Sequence, residues 1–112
     1  GISWLQEFIS VCNGQCAYDF IACHWYNDNN DLLQHLTDVH QAGGGLPVWL
    51  TEFAPIGSSI DPDSFVAQIS QELDTNSDYS FVEQYAYFMV SDGIMTSGGQ
   101  PNSLGNTFAY GS

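Results

Sequence analysis

The sequence predicts an α/β fold built on a parallel sheet. Three apolar, aromatic-rich runs, over 18–26, 46–54 and 79–90, read as strands buried on both faces. Between them lie segments whose apolar residues recur at helical spacing. The repeat is about 30 residues, the length of a βαβ unit: His24 to Glu52 is 28 positions and Glu52 to Tyr87 is 35.

The opening segment, 2–12, sets Trp4, Phe8 and Val11 on one helical face with Leu5 and Ile9 beside them, and Asn13-Gly14 ends it. The first strand follows at Tyr18–Tyr26. Asn27 to Asn30 form a loop that offers N-cap residues to a helix over 31–42, whose Leu32, Leu33, Leu36 and Val39 share a side. Gly43 to Gly45 stop that helix. The second strand, Leu46–Ala54, tolerates Pro47 because little ladder precedes it. After a loop over 55–59, Asp61-Pro62-Asp63 cap a helix running to about Asp74, with Phe65, Val66, Ile69 and Leu73 on its apolar face. The third strand covers Tyr79–Val90. A Gly- and Ser-rich loop spans 91–101, and a short helix starts near Ser103 with Leu104 and Phe108. Right-handed crossovers place the three strands parallel and adjacent. Three strands leave two open edges and an open face and cannot close a barrel, so the expectation is that these residues are part of a longer chain.

Composition excludes several function classes. The 112 residues contain no Lys or Arg and 13 Asp plus Glu, a formal net charge of −13. Nucleic-acid binding rests on cations that neutralise phosphates, and an anionic membrane surface repels such a chain. A neutral polysaccharide carries no such penalty. No apolar run approaches the ~20 residues of a membrane span. If the protein is exported, the expectation is that its signal lies upstream of residue 1. Cys12 and Cys16 bracket the turn Asn13-Gly14-Gln15, a spacing open to a local disulfide and consistent with an oxidising compartment, while Cys23 lies in an apolar run as a buried thiol. His35 and His40, at i and i+5 on one helix, do not share a face as a metal pair would. No metal site and no cofactor is expected.

In parallel α/β structures functional groups gather at the C-terminal ends of strands. Those ends hold His24-Trp25-Tyr26, Thr51-Glu52-Phe53 and Tyr85-Ala86-Tyr87-Phe88. Strict alternation puts Val48, Leu50 and Glu52 on one face, with the carboxylate at the top of an apolar inner wall. Two readings of Glu52 stay open: a working or paired carboxylate, and a strand-end charge reaching water. His24 and Tyr26 share a face of the neighbouring strand and would reach Glu52 if that face is also inward. His24 equally suits a satisfied core histidine. Tyr85 and Tyr87 suit either a sugar-stacking wall or core packing.

Taken together, Asp19-Phe-Ile-Ala-Cys-His-Trp-Tyr26, Pro47-Val-Trp-Leu-Thr-Glu-Phe-Ala54, Phe81-Val-Glu-Gln-Tyr-Ala-Tyr-Phe88 and Ser103-Leu-Gly-Asn-Thr-Phe-Ala-Tyr110 resemble the last strands and closing helix of glycoside hydrolase family 128. That family comprises fungal and bacterial endo-β-1,3-glucanases and includes fungal cell-wall proteins. Cys12 and Cys16 match a cysteine pair of fungal members. The resemblance implies a partial (β/α)8 TIM barrel, roughly strands six to eight with flanking helices, and makes residues 1–112 the C-terminal half of the catalytic domain. It implies a retaining mechanism on fungal-type cell-wall β-glucan by a secreted or cell-wall protein. Glu52 would be the nucleophile at the end of the seventh strand. His24 and Tyr26 would lie in the substrate site at the end of the sixth, and Tyr87 at the end of the eighth, with Tyr85 the other substrate-binding candidate. The family's acid/base Glu belongs to the fourth strand, within an Asn-Glu motif that these residues lack. The missing N-terminal half-barrel is therefore an implied partner, and the isolated chain is expected to be inactive. Gln84 stands where many members carry Arg. The rival expectation is a non-catalytic β-glucan-binding or cell-wall protein.

Overall fold

The computed structural model describes residues 1–57 and 59–111. Ser58, in the loop expected over 55–59, lies outside the described residues. The chain runs α1 (Ile2–Cys12), β1 (Ile21–Tyr26), α2 (Asn29–Ala42), β2 (Val48–Ala54), α3 (Pro62–Thr75), β3 (Val82–Tyr87), a hairpin of β4 (Thr96–Ser97) and β5 (Gln100–Pro101), and α4 (Ser103–Tyr110). β1, β2 and β3 form one parallel sheet in that order. The α/β class and the parallel three-stranded sheet are as the sequence predicts.

Local chemistry sets the helix boundaries. Asp28 accepts the Asp31 backbone N–H at 3.0 Å and opens α2. Asp61 accepts both the Ser64 N–H at 3.0 Å and its hydroxyl at 2.7 Å, with Pro62 in the first turn of α3. Those two bonds hold the Asp61 carboxyl below its ordinary range. Asn102 caps α4 through the Gly105 N–H at 3.0 Å.

The core lies on one side of the sheet. Leu32, Leu36 and Val39 of α2, Val48, Leu50 and Phe53 of β2, and Phe65, Val66, Ile69 and Leu73 of α3 are buried together, joined by Met95 and Leu104. The opposite face of the sheet is open: Ala22, His24 and Tyr26 of β1 and Ala86 of β3 are exposed. None of the residues of α1 is buried. Among the described residues no helix is long and apolar enough to cross a membrane.

Several boundaries depart from the sequence reading: α2 begins at Asn29, not residue 31, the second strand begins at Val48, not Leu46, and the third ends at Tyr87, not Val90. The first strand begins at Ile21, not Tyr18. The third begins at Val82, because Ser77–Tyr79 instead form a 3-10 turn whose entry Asn76 caps through the Asp78 N–H at 3.0 Å. The loop over 91–101 contains the β4–β5 hairpin, turned at Gly98 and Gly99 with φ of +59° and +78°. That pair of positive φ values is what a two-residue hairpin turn with the right twist demands. Asp92 secures the hairpin by accepting the Thr96 hydroxyl at 2.7 Å.

Gly105 shows how tightly α4 sits on this hairpin. A Cβ at Gly105 would lie 2.2 Å from the Met95 carbonyl oxygen, a backbone atom that cannot swing aside. Gly105→Ala is expected to destabilise the chain by about 1–3 kcal/mol, the usual cost of overpacking, despite alanine's better helix propensity. Thermal unfolding followed by circular dichroism checks the sign; a rise in Tm would contradict this packing.

Candidate active site

A bulge places the central carboxylate. Cys23 pairs with Leu50, but His24 pairs with Glu52, so Thr51 is an extra residue in β2. The Thr51 hydroxyl donates to the Cys23 carbonyl at 3.3 Å across that gap. After Leu50 the next helix-facing residue is therefore Phe53, three positions on, and both Val48 and Phe53 are fully buried. This corrects the alternation expected from sequence. Glu52 does not share the face of Val48 and Leu50; the bulge turns it to the open face, where His24 and Tyr26 stand. Bulges re-aim side chains in this way next to functional sites.

The three side chains meet there. The Tyr26 hydroxyl donates to Glu52 Oε1. His24 Nε2 lies 3.2 Å from Glu52 Oε2, with 54% and 34% of the two side chains exposed, so the carboxylate is open to an incoming ligand. The hydrogen bond to Glu52, then burial and the nearby negative charge, push the Tyr26 phenol up to about 12. Tyr26 is thus a donor to the carboxylate throughout neutral pH. Both oxygens of Glu52 are fixed, one by a phenol and one by an imidazole. The remaining lone pairs face the open side of the sheet.

Tyr85 and Tyr87 lie elsewhere. Both turn to the helix side of β3: their rings stand at 6.2 and 5.4 Å from Phe53 and at 5.9 and 6.5 Å from Phe108. The Tyr85 hydroxyl donates to Asp74 at 3.0 Å. A stacking wall built from these two tyrosines is not available on the face of Glu52, because the pleat sends them into the core with Phe53. The aromatic that does reach the site is Phe88, edge-on to Tyr26 at 6.0 Å and 42% exposed. The sequence places Phe88 at the strand end with the two tyrosines but assigns it no role of its own. The usable signal is its alternation with Tyr85 and Tyr87 once those two are assigned to the core.

The other singled-out residues have structural partners. His40 Nδ1 lies 2.9 Å from the Leu46 carbonyl, and its ring stacks on Phe81 at 4.1 Å. His35 packs on Trp25 at 4.8 Å. Cys12 and Cys16 are disulfide-bonded, and Cys23 is a free thiol pushed up to about 11 by burial. Among the described residues no group of three His, Cys, Asp or Glu is arranged to hold a metal ion. Gln84 sits in β3 opposite Trp49.

A carboxylate at the C-terminal end of a parallel strand, held by a phenol and an imidazole from the next strand, is suited to nucleophilic attack or to charge stabilisation. The family model described as the glycosyl hydrolase catalytic core matches residues 1–108. The chain belongs to that family, within glycoside hydrolase family 128. It is 35% identical to alkali-sensitive linkage protein 1 of Schizosaccharomyces pombe, over 93% of this chain and 20% of that protein. Among solved structures it is similar to a family 128 subgroup III curdlan-specific exo-β-1,3-glucanase of Blastomyces gilchristii. There the TM-score is 0.81 and the identity 32%, over 96% of this chain and 47% of that one. It also shares the fold of a subgroup VII oligosaccharide-binding protein of Cryptococcus neoformans, with TM-score 0.68 and 23% identity over 95% and 44%. The family 128 chain thus spans about half the length of these solved structures and about a fifth of the curated relative.

Proposed function

We propose that residues 1–112 are the C-terminal half of a TIM-barrel catalytic domain and supply the nucleophile side of a retaining β-1,3-glucan hydrolase. The observation that carries this reading is the Glu52 carboxylate on the open face of β2, held by Tyr26 and His24. In a retaining mechanism Glu52 attacks the anomeric carbon as the glycosidic C–O bond breaks, and a second carboxylic acid protonates the leaving oxygen. That acid, now a base, takes a proton from water, which cleaves the glycosyl ester and restores Glu52. Tyr26 and His24 keep the attacking oxygens oriented through both steps. Phe88 and Tyr26 offer the apolar face of a sugar ring an aromatic surface.

The second carboxyl must stand about 5–5.5 Å from the first. The acidic residues in the loops at the same end of the sheet are engaged elsewhere: Asp28 caps α2, Asp61 caps α3, and Asp92 ties the β4–β5 hairpin. Glu83, near the start of β3, accepts the Trp49 indole N–H at 3.1 Å. The acid/base therefore comes from a complementary half-barrel. A β-glucan polymer is the substrate in this reading, and the disulfide fits a secreted or cell-wall protein.

The isolated 112-residue chain is expected to leave laminarin uncut, while the same chain joined to a complementary half-barrel releases sugar. Reducing-end assays on both test this, and turnover by the isolated chain comparable to that of the completed barrel would defeat the half-site reading. Product analysis on the active form fixes the cleavage mode. The resemblance to endo-glucanases implies a ladder of oligosaccharides, whereas an enzyme acting like the subgroup III neighbour, an exo-β-1,3-glucanase, releases sugar from chain ends.

A further inference from the structure

We propose that Thr51 is a positioning residue for Glu52: its hydroxyl, which donates to the Cys23 carbonyl at 3.3 Å, holds the carboxylate at the spacing from His24 and Tyr26 that attack requires. The inference rests on the nucleophile reading above and adds the residue that keeps Glu52 in place.

The need for such a residue follows from the ladder. On the β1 side Cys23 pairs with Leu50 and His24 with Glu52, so β2 advances two residues while β1 advances one. On the β3 side Leu50 pairs with Tyr85 and Phe53 with Tyr87, so β2 advances three residues while β3 advances two. Thr51 has a ladder partner on neither side. Such an extra residue disrupts the ladder locally and leaves the chain beside it less constrained. Toward β3, Thr51 borders a gap of about 260 Å³ that it shares with Trp49, Gln84 and Ala86. The backbone leading into Glu52 therefore lacks the ladder bonds that fix an ordinary strand residue.

The Thr51 hydroxyl supplies a bond in their place, and both of its ends fall beside the site. The donor immediately precedes Glu52 and the acceptor immediately precedes His24. The bond therefore ties β2 to β1 one residue before the contact of 3.2 Å between His24 Nε2 and Glu52 Oε2. The strand separation it sets decides whether the imidazole and the Tyr26 phenol, two residues further along β1, both reach the carboxylate. Phe53 pins the step from the buried side, whereas Thr51 is exposed and acts from the other. Its β-branch also restricts χ1, which keeps the hydroxyl aimed. A misplacement of roughly 1 Å in a reacting group costs up to about 100-fold in rate, so a tie next to the nucleophile matters more to turnover than to folding.

The test compares Thr51→Val, which keeps the shape and loses the hydroxyl, with Thr51→Ser, which keeps the hydroxyl. The first readout needs no catalysis. The bond to Glu52 leads the causes that push the Tyr26 phenol up to about 12. In the 112-residue chain carrying Thr51→Val, NMR of the Tyr26 ring should show ionisation about half to one pH unit earlier than in the parent, the roughly threefold to tenfold weaker hold that loss of one net hydrogen bond allows. Thr51→Ser should return it toward the parent value. The second readout is the completed barrel on laminarin, where Thr51→Val should lower kcat by the same factor of about three to ten with KM little changed, and Thr51→Ser should restore most of it. Circular dichroism should show both variants folded. Parent-like Tyr26 ionisation in Thr51→Val, no recovery in Thr51→Ser, a kcat that does not follow the ionisation, or unfolding of Thr51→Val would each overturn the proposal. A parent barrel that never hydrolyses glucan, with the Tyr26 shift appearing as described, would sink the nucleophile reading and leave Thr51 as the residue that places Glu52.

Discussion

Glu52→Ala, introduced into the completed barrel, is expected to lower kcat on β-1,3-glucan by on the order of 10⁴-fold or more, the scale seen when a covalent nucleophile is removed. The substitution deletes the attacking atoms and leaves a small cavity beside Tyr26 and His24, both of which lose their shared acceptor. The fold should survive, because the Glu52 side chain lies on the open face and makes no contribution to the core under β2. Azide supplies a direct test of role. In the vacated space a small anion attacks from the side Glu52 used, giving a glycosyl azide of the opposite anomeric configuration to the substrate. Its appearance by NMR identifies Glu52 as the nucleophile. Full activity in the alanine variant would reject the assignment outright. No hydrolysis by either the parent or Glu52→Gln, with glucan binding retained in both, would favour a non-catalytic binder.

The helices and the strand order were readable in advance because they rest on short-range rules: 3.6-residue apolar spacing, Asp caps, Gly stops and crossover handedness. His24, Tyr26 and Glu52 were readable as a set because parallel strands bring their C-terminal ends together. What sequence could not deliver was the side on which Glu52 stands. Period-two alternation from Leu50 predicts the core side; one extra residue, Thr51, reverses it. The trace of that bulge in the sequence is slight, a step of three rather than two between Leu50 and Phe53. The same limit explains Tyr85 and Tyr87. Both tyrosines suited core or cleft equally until the burial of Phe53 was known, and their rings then followed it into the core. Phe88, named at the strand end, received no role for the complementary reason: its exposure depends on the sheet's open face, which no local rule describes.

Phe53→Ala is expected to be the most destabilising single change near the site, costing about 3–5 kcal/mol, the range for truncating a buried Phe. The ring is fully buried and packs edge-on to Tyr85 and Tyr87 and at 6.0 Å from Phe65, so no neighbour can fill the void without breaking another contact. For a domain whose total stability is about 5–15 kcal/mol, that loss is a large fraction. With a urea m value of roughly 1–3 kcal/mol/M, the unfolding midpoint should fall by at least about 1 M. The effect reaches Glu52 through the backbone. Phe53 anchors the three-residue step of the bulge, and its carbonyl accepts the Phe88 N–H at 3.0 Å, tying β2 to the aromatic that borders the cleft. Loosening Phe53 therefore frees Glu52 to sample the alternative register in which alternation is restored and the carboxylate turns toward the helices. Phe88→Ala, on an exposed ring, should cost well under half as much stability, so the pair of variants separates packing from cleft chemistry. A Phe53→Ala midpoint within experimental error of the parent would mean that something other than core burial holds the bulge, and the account of how Glu52 comes to stand on the open face would have to be rebuilt around the Thr51 hydroxyl bond to Cys23.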